Sequence, residues 1–148
     1  MAFEDSYFLM HGTALKDLRV ELDNVVGDAL SKGLLFRFGF RCGECIAKSI
    51  GIHPKKSDIS RVLPEVWSEV GLGRIVIKRT RSGKISAIIE DAIEAEANGL
   101  KGKPSCDFTR GYLAGLVSSL LGKSYYCIEE KCISKGDSFC KYVLTKEA

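Results

Sequence analysis

The stretch IEEKCISKGDSFCKYVL, residues 128 to 144, constrains the fold of this chain more than any other segment. It places Cys132 and Cys140 with seven residues between them. The runs SYYCIEEKC and SFCKYVLTK are rich in aromatic and β-branched residues, and they predict two strands joined through ISKGD. Antiparallel pairing of these strands would bring both sulfurs to the same end of the hairpin. The two cysteines could therefore share a metal ion.

A structural zinc site takes four ligands, so two more side chains must come from elsewhere in the chain. Cys106 is the best third candidate, because it opens a predicted helix, where unpaired amides and the helix dipole favour a thiolate. For the fourth ligand, the nearby residues are Cys127, Glu129 and Glu130. Strand alternation places Glu130, and not Glu129, on the face of Cys132. A β-bulge at the end of the strand would be needed to bring Glu129 to the site.

The remaining segments predict helices and one further hairpin. Apolar residues at helical spacing predict helices over residues 13–32, 34–52, 58–71 and 106–123. Two β-branched runs, 74–80 and 85–91, surround a turn with glycine and predict a hairpin. Residues 94–105, EAEANGLKGKPS, predict a connecting loop. The fold class that follows is α+β, an antiparallel sheet of about four strands, in two hairpins, packed with four helices.

Length and charge exclude several classes of protein. A chain of 148 residues is within the range of one domain, so we assign residues 1–148 to a single domain. No segment reaches the apolar length of a membrane span, and the acidic N-terminus lacks the features of a signal peptide, so we expect a cytoplasmic protein. The net charge of +3 is too small to indicate nucleic-acid binding. Six cysteines in such a chain indicate metal ligands, redox thiols or small core residues rather than disulfides.

The spacing of the C-terminal motifs resembles the 4-vinyl reductase domain family. The run CDFTRGYLAGL from Cys106 is followed by E-x-x-C from Glu129 and by G-D-x-x-C from Gly136, and these motifs cover about residues 93–144. The agreement around Arg37 is looser. The family includes bacterial proteins tied to bacteriochlorophyll synthesis, stand-alone archaeal proteins, and the aromatic-sensing domains of phenol-responsive transcription activators. The resemblance is to a stand-alone archaeal-type member.

This resemblance implies a complete ligand set. In the sensor domains of the family, zinc is bound by three cysteines and a glutamate, and the matching positions are Cys106, Glu129, Cys132 and Cys140. The resemblance, and not the strand periodicity, selects Glu129. Four protein ligands leave no open position for water or substrate, so the resemblance implies structural Zn²⁺.

The resemblance to aromatic sensors also implies an apolar ligand pocket between the helices and the sheet. The candidate lining residues are Phe36, Trp67, Leu113 and Cys127. We therefore expect a zinc-stabilised domain that binds a small hydrophobic or aromatic ligand and acts as a sensor or carrier through a protein partner. Because no ATPase or DNA-binding segment occurs in these residues, we expect the output to pass through association, as a homodimer like that of the related sensors.

Two further patterns have a packing interpretation and a functional one. Cys42 and Cys45 form a CxxC, but on a predicted helix rather than at a strand-to-helix junction, so buried packing is favoured over redox chemistry or a second metal site. Gly111 and Gly115 belong to a row of small residues on the predicted helix 106–123. Close packing against a neighbouring helix or sheet is favoured over a face that admits a ligand.

Two other functions remain open. The family name suggests a reductase or accessory protein acting on the vinyl group of a tetrapyrrole, but the sequence has no nicotinamide, flavin or nucleophile motif, and we assign no catalytic residue. An enzyme is therefore less favoured than a binding protein. A zinc-ribbon-like nucleic-acid module could use Cys42, Cys45, Cys132 and Cys140, with the hairpin 78–84 on phosphates. The near-neutral charge makes this the least favoured function.

Overall fold

The computed structural model describes residues 7–79 and 82–147. These residues form five α-helices and four β-strands, and the α+β class predicted from the sequence is confirmed. The helices are α1 (Gly12–Val26), α2 (Asp28–Ile50), α3 (Ile59–Val70), α4 (Ile93–Asn98) and α5 (Asp107–Leu121). The strands are β1 (Arg74–Arg79), β2 (Ile85–Glu90), β3 (Tyr125–Lys131) and β4 (Cys140–Lys146). Within the described ranges, no helix is both long and apolar enough to cross a membrane.

The sheet consists of the two predicted hairpins placed side by side. Its order is β1-β2-β4-β3, and every neighbouring pair is antiparallel. Alternate residues point to opposite faces, so Ala87 and Tyr142, which are register partners, are both fully buried on the inner face. The outer face carries Val76 and Ile128, which are half exposed. Helices α3 and α5 pack on the sheet through β1 and β3, respectively, and the core lies between these layers.

Helices α2 and α5 make the most extensive contact in the fold, and glycines allow it. A Cβ atom at Gly39 or Gly43 of α2 would overlap backbone atoms of α5, and one at Gly111 or Gly115 would overlap backbone atoms of α2. The two backbones therefore touch directly, without intervening side chains. This confirms the close-packing interpretation of the row of small residues on α5.

Helix boundaries differ from the prediction at two places. The predicted helix over 13–32 ends at Val26, because Gly27 has a φ of 84°, and the next helix already begins at Asp28. The segment 94–105 is not a continuous loop, since α4 occupies Ile93–Asn98. Its alanines and glutamates favour a helix, but six residues are too few for a helical period to be visible or for an isolated helix to be stable. Ala95 is fully buried, and packing of this turn against α1 stabilises the helix.

Helix α4 and the loop after it fix the start of α5. The Glu94 carboxylate is buried and accepts hydrogen bonds from the backbone N–H groups of Phe108 (3.1 Å) and Thr109 (2.7 Å) and from the Thr109 hydroxyl (2.7 Å). Asn98 donates to the backbone oxygen of Ser105 (3.1 Å) and to its hydroxyl (3.0 Å). These contacts hold Cys106 at the N-cap of α5 and so place the first candidate metal ligand.

Candidate metal centre and ligand cavity

The four predicted metal ligands lie together at one end of the sheet. The ligand atoms of Cys106, Glu129, Cys132 and Cys140 are all within 4.8 Å of one another, and the three cysteines are fully buried. The Cys106 sulfur is 3.8 Å from that of Cys132 and 4.0 Å from that of Cys140. Tetrahedral zinc with bonds of about 2.3 Å separates two thiolates by about 3.8 Å. The spacing of the sulfurs therefore suits such an ion.

The connection between β3 and β4 brings the two hairpin cysteines to this site. It contains a short 3₁₀ turn, Ile133–Lys135, followed by Gly136 at a φ of 110°, a value that favours glycine. The Asp137 carboxylate accepts a hydrogen bond from the backbone N–H of Cys132 (2.9 Å). The backbone N–H of Ile133 donates to the sulfur of Cys140 (3.4 Å). The turn thus orients both thiols towards Cys106 and supplies a donor that stabilises a thiolate.

A β-bulge brings Glu129 to the cluster. Glu129 is the register partner of Tyr142, whereas Lys131 is the partner of Lys141, so the register shifts between Glu129 and Lys131. This is the irregularity that strand alternation required for Glu129 to join the cysteines. Glu130 is instead exposed and pairs with the Lys141 ammonium at 3.2 Å.

The electrostatics of the cluster fit a cation. The backbone N–H of Cys106 donates to Oε1 of Glu129 (3.3 Å), while Oε2 is buried and makes no hydrogen bond within the described residues. The nearby Tyr142 hydroxyl lowers the pKa of this carboxyl, although the hydroxyl makes no hydrogen bond within the described residues. Burial raises the pKa of Glu129, and the hydrogen bonds between the Cys106 thiol and the sulfurs of Cys132 and Cys140 raise that of Cys106. A divalent cation would satisfy the orphan oxygen and reverse both shifts.

An apolar cavity of about 550 Å³ lies away from the cluster. Its volume is in the range of small-molecule sites. Five parts of the chain line it: residues 7–12 with Leu15, the α2 face that carries Phe38, residues 69–72, Ile93 at the start of α4, and α5 through Phe108 and Tyr112. The Phe108 and Tyr112 rings meet edge to face at 5.8 Å, and Phe38 packs on Phe108 at 5.7 Å. Aromatic rings thus form one part of a mostly apolar wall.

The four residues predicted to line a pocket lie outside the lining of this cavity. Trp67, Leu113 and Cys127 are buried in the core, and Phe36 is half-buried beneath the Arg110 guanidinium at 4.4 Å. Trp67 meets the ring of the cavity residue Tyr112 at 5.7 Å, and its indole N–H is buried without a hydrogen-bond partner among the described residues. Contact between any of the four and a ligand stays a prediction.

Sequence reasoning missed the lining residues of α2 and of the N-terminal segment. Phe38, Cys42, Cys45 and Ile46 share one helical face, and this i, i+4, i+7, i+8 spacing was the available signal. The interpretation of the CxxC as buried packing is wrong for Cys45, which is exposed, whereas Cys42 is half-buried and packs against the core. The physical reason is that Gly39 and Gly43 occupy the face that meets α5. The two cysteines are therefore turned towards the cavity.

The nucleic-acid module considered from the sequence would combine Cys42 and Cys45 with two cysteines of the hairpin. Within the described residues, the metal cluster contains neither Cys42 nor Cys45. It joins the two hairpin cysteines to the N-cap of α5 and to Glu129 of β3. The hairpin 78–84 proposed to contact phosphates includes residues 80 and 81, which lie outside the described residues.

Two family models match the sequence. The model described as an activator of aromatic catabolism matches residues 2–81, which are 80 of the 148 residues, and the 4-vinyl reductase domain model matches residues 85–146. The chain belongs to the aromatic-catabolism activator family, with a 4-vinyl reductase domain as its C-terminal part. The family resemblance drawn from the C-terminal motifs is therefore confirmed.

Individual relatives agree with this assignment. An uncharacterised protein of Methanocaldococcus jannaschii is 26% identical over 72% of this chain and 67% of its own length. The phenol regulator MopR of Acinetobacter guillouiae is 23% identical over 95% of this chain, which spans only 27% of that protein. The phenol-responsive sensory domain of the transcription activator PoxR, solved with phenol, matches with a TM-score of 0.80 and 25% identity, over 97% of this chain and 77% of that one.

Proposed function

We propose that residues 1–148 form a single zinc-stabilised domain that binds a small aromatic or hydrophobic ligand and acts as a sensor or carrier through a protein partner. The observation that carries this proposal is the cavity of about 550 Å³, whose mostly apolar wall includes the packed rings of Phe38, Phe108 and Tyr112. The similarity to the phenol-responsive domain of PoxR supports an aromatic ligand. The proposal concerns only the residues of this chain and does not extend to the activities of the longer proteins that it resembles.

The polar groups at the cavity indicate how a phenol-like ligand would be oriented. His11 and Tyr112 line the cavity among apolar neighbours. Burial raises the pKa of Tyr112, so its hydroxyl stays protonated and can donate to, or accept from, a ligand hydroxyl. The His11 Nδ1 already accepts a hydrogen bond from the backbone N–H of Thr13 (3.1 Å). Its other ring nitrogen is then the N–H donor of the neutral ring.

Ligand binding is tested by calorimetry with phenol and alkylphenols, together with fluorescence of Trp67, the single tryptophan of the chain. Val70→Phe places a large ring at the lining of the cavity, and Val76→Phe makes the same change on the outer face of the sheet. We expect binding by the wild type and by Val76→Phe, and loss of binding in Val70→Phe. Equal binding by both variants, or no binding by the wild type, would refute the proposal.

We propose that zinc occupies the Cys106, Glu129, Cys132 and Cys140 cluster and has a structural role. When bound, the ion ties the start of α5 to the last hairpin, and roughly 10 to 16 kcal/mol of binding free energy becomes available for folding. Metal content by mass spectrometry should give about one zinc per chain in the wild type. Cys132→Ser should lose it, whereas Cys127→Ser, the same change at a buried cysteine outside the cluster, should retain it. Wild-type protein without metal would overturn this assignment.

We further propose that the protein is a cytoplasmic homodimer whose association reports the ligand. The support is the resemblance to sensor domains, together with exposed apolar side chains such as Leu30 and Leu34 on α2. Light scattering after size exclusion, with and without phenol, tests the proposal. A monomer under both conditions at micromolar concentration would contradict it.

A further inference from the structure

The CxxC of α2 presents two thiols to the cavity; the metal centre includes neither, and core packing accounts only for part of Cys42 and not for the exposed Cys45. Cys42 and Cys45 both line the cavity, one turn apart on the same helical face as Phe38 and Ile46. Both are free thiols and neither belongs to the metal cluster. Cys45 is exposed, whereas Cys42 is half-buried. An apolar molecule that occupied the cavity would therefore have a thiol within reach.

The helix disfavours a disulfide between these two residues. On an α-helix, the Cβ atoms of residues i and i+3 are about 5 to 6 Å apart, whereas a disulfide needs about 3.8 Å. Residues 42 and 45 both lie well inside α2, which spans Asp28–Ile50, so closing the bond would distort regular helix. The thiols therefore remain available for chemistry with a ligand.

The two thiols differ in reactivity. Burial raises the pKa of Cys42, and the neighbouring Cys45 raises it further, so a smaller fraction of Cys42 is present as the thiolate. Because the thiolate is the nucleophile, the exposed Cys45 is the better candidate for attack on a ligand. An apolar ligand held in the cavity would meet this thiol at a high effective concentration.

We propose that Cys45 covalently captures apolar electrophiles that enter the cavity, specifically aromatic or quinonoid α,β-unsaturated carbonyl compounds. The Cys45 sulfur forms a bond to the β-carbon while the carbon–carbon π pair shifts towards the carbonyl oxygen. The thiol proton then reaches the α-carbon. In a quinone, the thiol proton goes to one oxygen and the hydrogen of the attacked ring carbon moves to the other oxygen, which gives a substituted hydroquinone. The addition is balanced without an external oxidant or reductant. It rests on the proposed function, because it uses the same cavity as the reversible aromatic ligand.

The probe is N-phenylmaleimide, an aromatic α,β-unsaturated carbonyl compound, compared with a sulfonated alkyl maleimide on the zinc-loaded protein. Rates are measured by intact mass and normalised to those of glutathione, and the modified residue is identified by peptide mapping. We expect modification at Cys45 with at least a tenfold preference for the aromatic reagent, and slower modification in the presence of phenol. Cys42→Ser should retain this preference, and Val70→Phe should lose it.

The matched control is an exposed thiol outside the cavity. In a Cys42→Ser, Cys45→Ser background, Ser60→Cys places a thiol at an exposed position of α3 that does not line the cavity. We expect no preference there beyond that of glutathione. Equal preference at residues 45 and 60, or modification of Cys42 in place of Cys45, overturns the inference. If phenol binds by calorimetry while the preference is absent, only the covalent capture fails. If the preference is present without phenol binding, the reversible sensor function fails and the capture stands.

Discussion

Gly43→Ala tests the direct contact between α2 and α5. A Cβ atom at residue 43 would overlap the backbone oxygen of Tyr112 most severely, and it would lie 2.6 Å from the backbone nitrogen of Leu116. Ordinary contacts between such atoms are about 3.5 Å, so the helices would have to separate by almost 1 Å. The obstructing atoms belong to the backbone of a buried helix, and no side-chain rotation can relieve the overlap.

The magnitude follows from two opposing terms. Overpacking of a well-packed interior costs about 1 to 3 kcal/mol, and the rigid contact places this site at the upper end. Replacement of glycine by alanine inside a helix returns about 1 kcal/mol. The net loss is therefore about 2 kcal/mol. In a chain of this length, that change lowers the midpoint of thermal unfolding by about 4 to 8 °C.

Gly33→Ala is the matched control, because it makes the same substitution in the same helix. Residue 33 is exposed, and a Cβ there meets nothing within 4 Å. This variant should gain about 1 kcal/mol, which raises the midpoint by about 2 to 4 °C. Both are measured by circular dichroism on zinc-loaded protein. If Gly43→Ala is stabilised as much as Gly33→Ala, the backbones of α2 and α5 are not in contact and the reasoning is refuted.

Three further perturbations test other contacts. Burial raises the pKa of Glu94 to about 7 from its ordinary 4.5. The folded protein therefore binds this proton more tightly than the unfolded chain does, and the free energy of unfolding should fall as the pH rises from about 4.5 to 7. The fall is at most about 3 kcal/mol, and urea titrations of Glu94→Gln should lack this part of the slope. Arg19→Met removes the closer of the two arginine partners of the buried Asp107 carboxylate, at 3.0 Å, and leaves Arg110 at 3.3 Å, so it should cost about 2 kcal/mol. Arg74→Met removes only exposed ion pairs and should change stability by about 1 kcal/mol or less, and equal effects in thermal unfolding would count against the buried pair. Removal of zinc by a chelator should lower the unfolding midpoint and make the cluster thiols reactive towards a colorimetric thiol reagent, and an unchanged thiol count would contradict a structural metal.

The sequence by itself determined the types of element and the composition of the proposed centre. Period-two and period-3.6 patterns are local, so the two hairpins and the long helices could be predicted from them. The turn between Cys132 and Cys140 was visible as a strand-breaking segment with glycine, and the family motifs added Cys106 and Glu129. Strand alternation alone favoured Glu130, so a bulge was needed for Glu129 to join the cysteines. The register shift between Glu129 and Lys131 confirms this bulge.

Only the tertiary structure decided which residues pack against one another and which residues line the cavity. The six-residue helix α4 is too short to be stable alone, and it forms because Ala95 becomes buried against the rest of the fold, which no local pattern indicates. Close contact between α2 and α5 at Gly43 turns Cys42 and Cys45 away from that interface and into the cavity. The cavity itself is assembled from five segments that are distant in the sequence. Its lining depends on non-local packing, and the periodicity of a single segment cannot specify which neighbours it will meet.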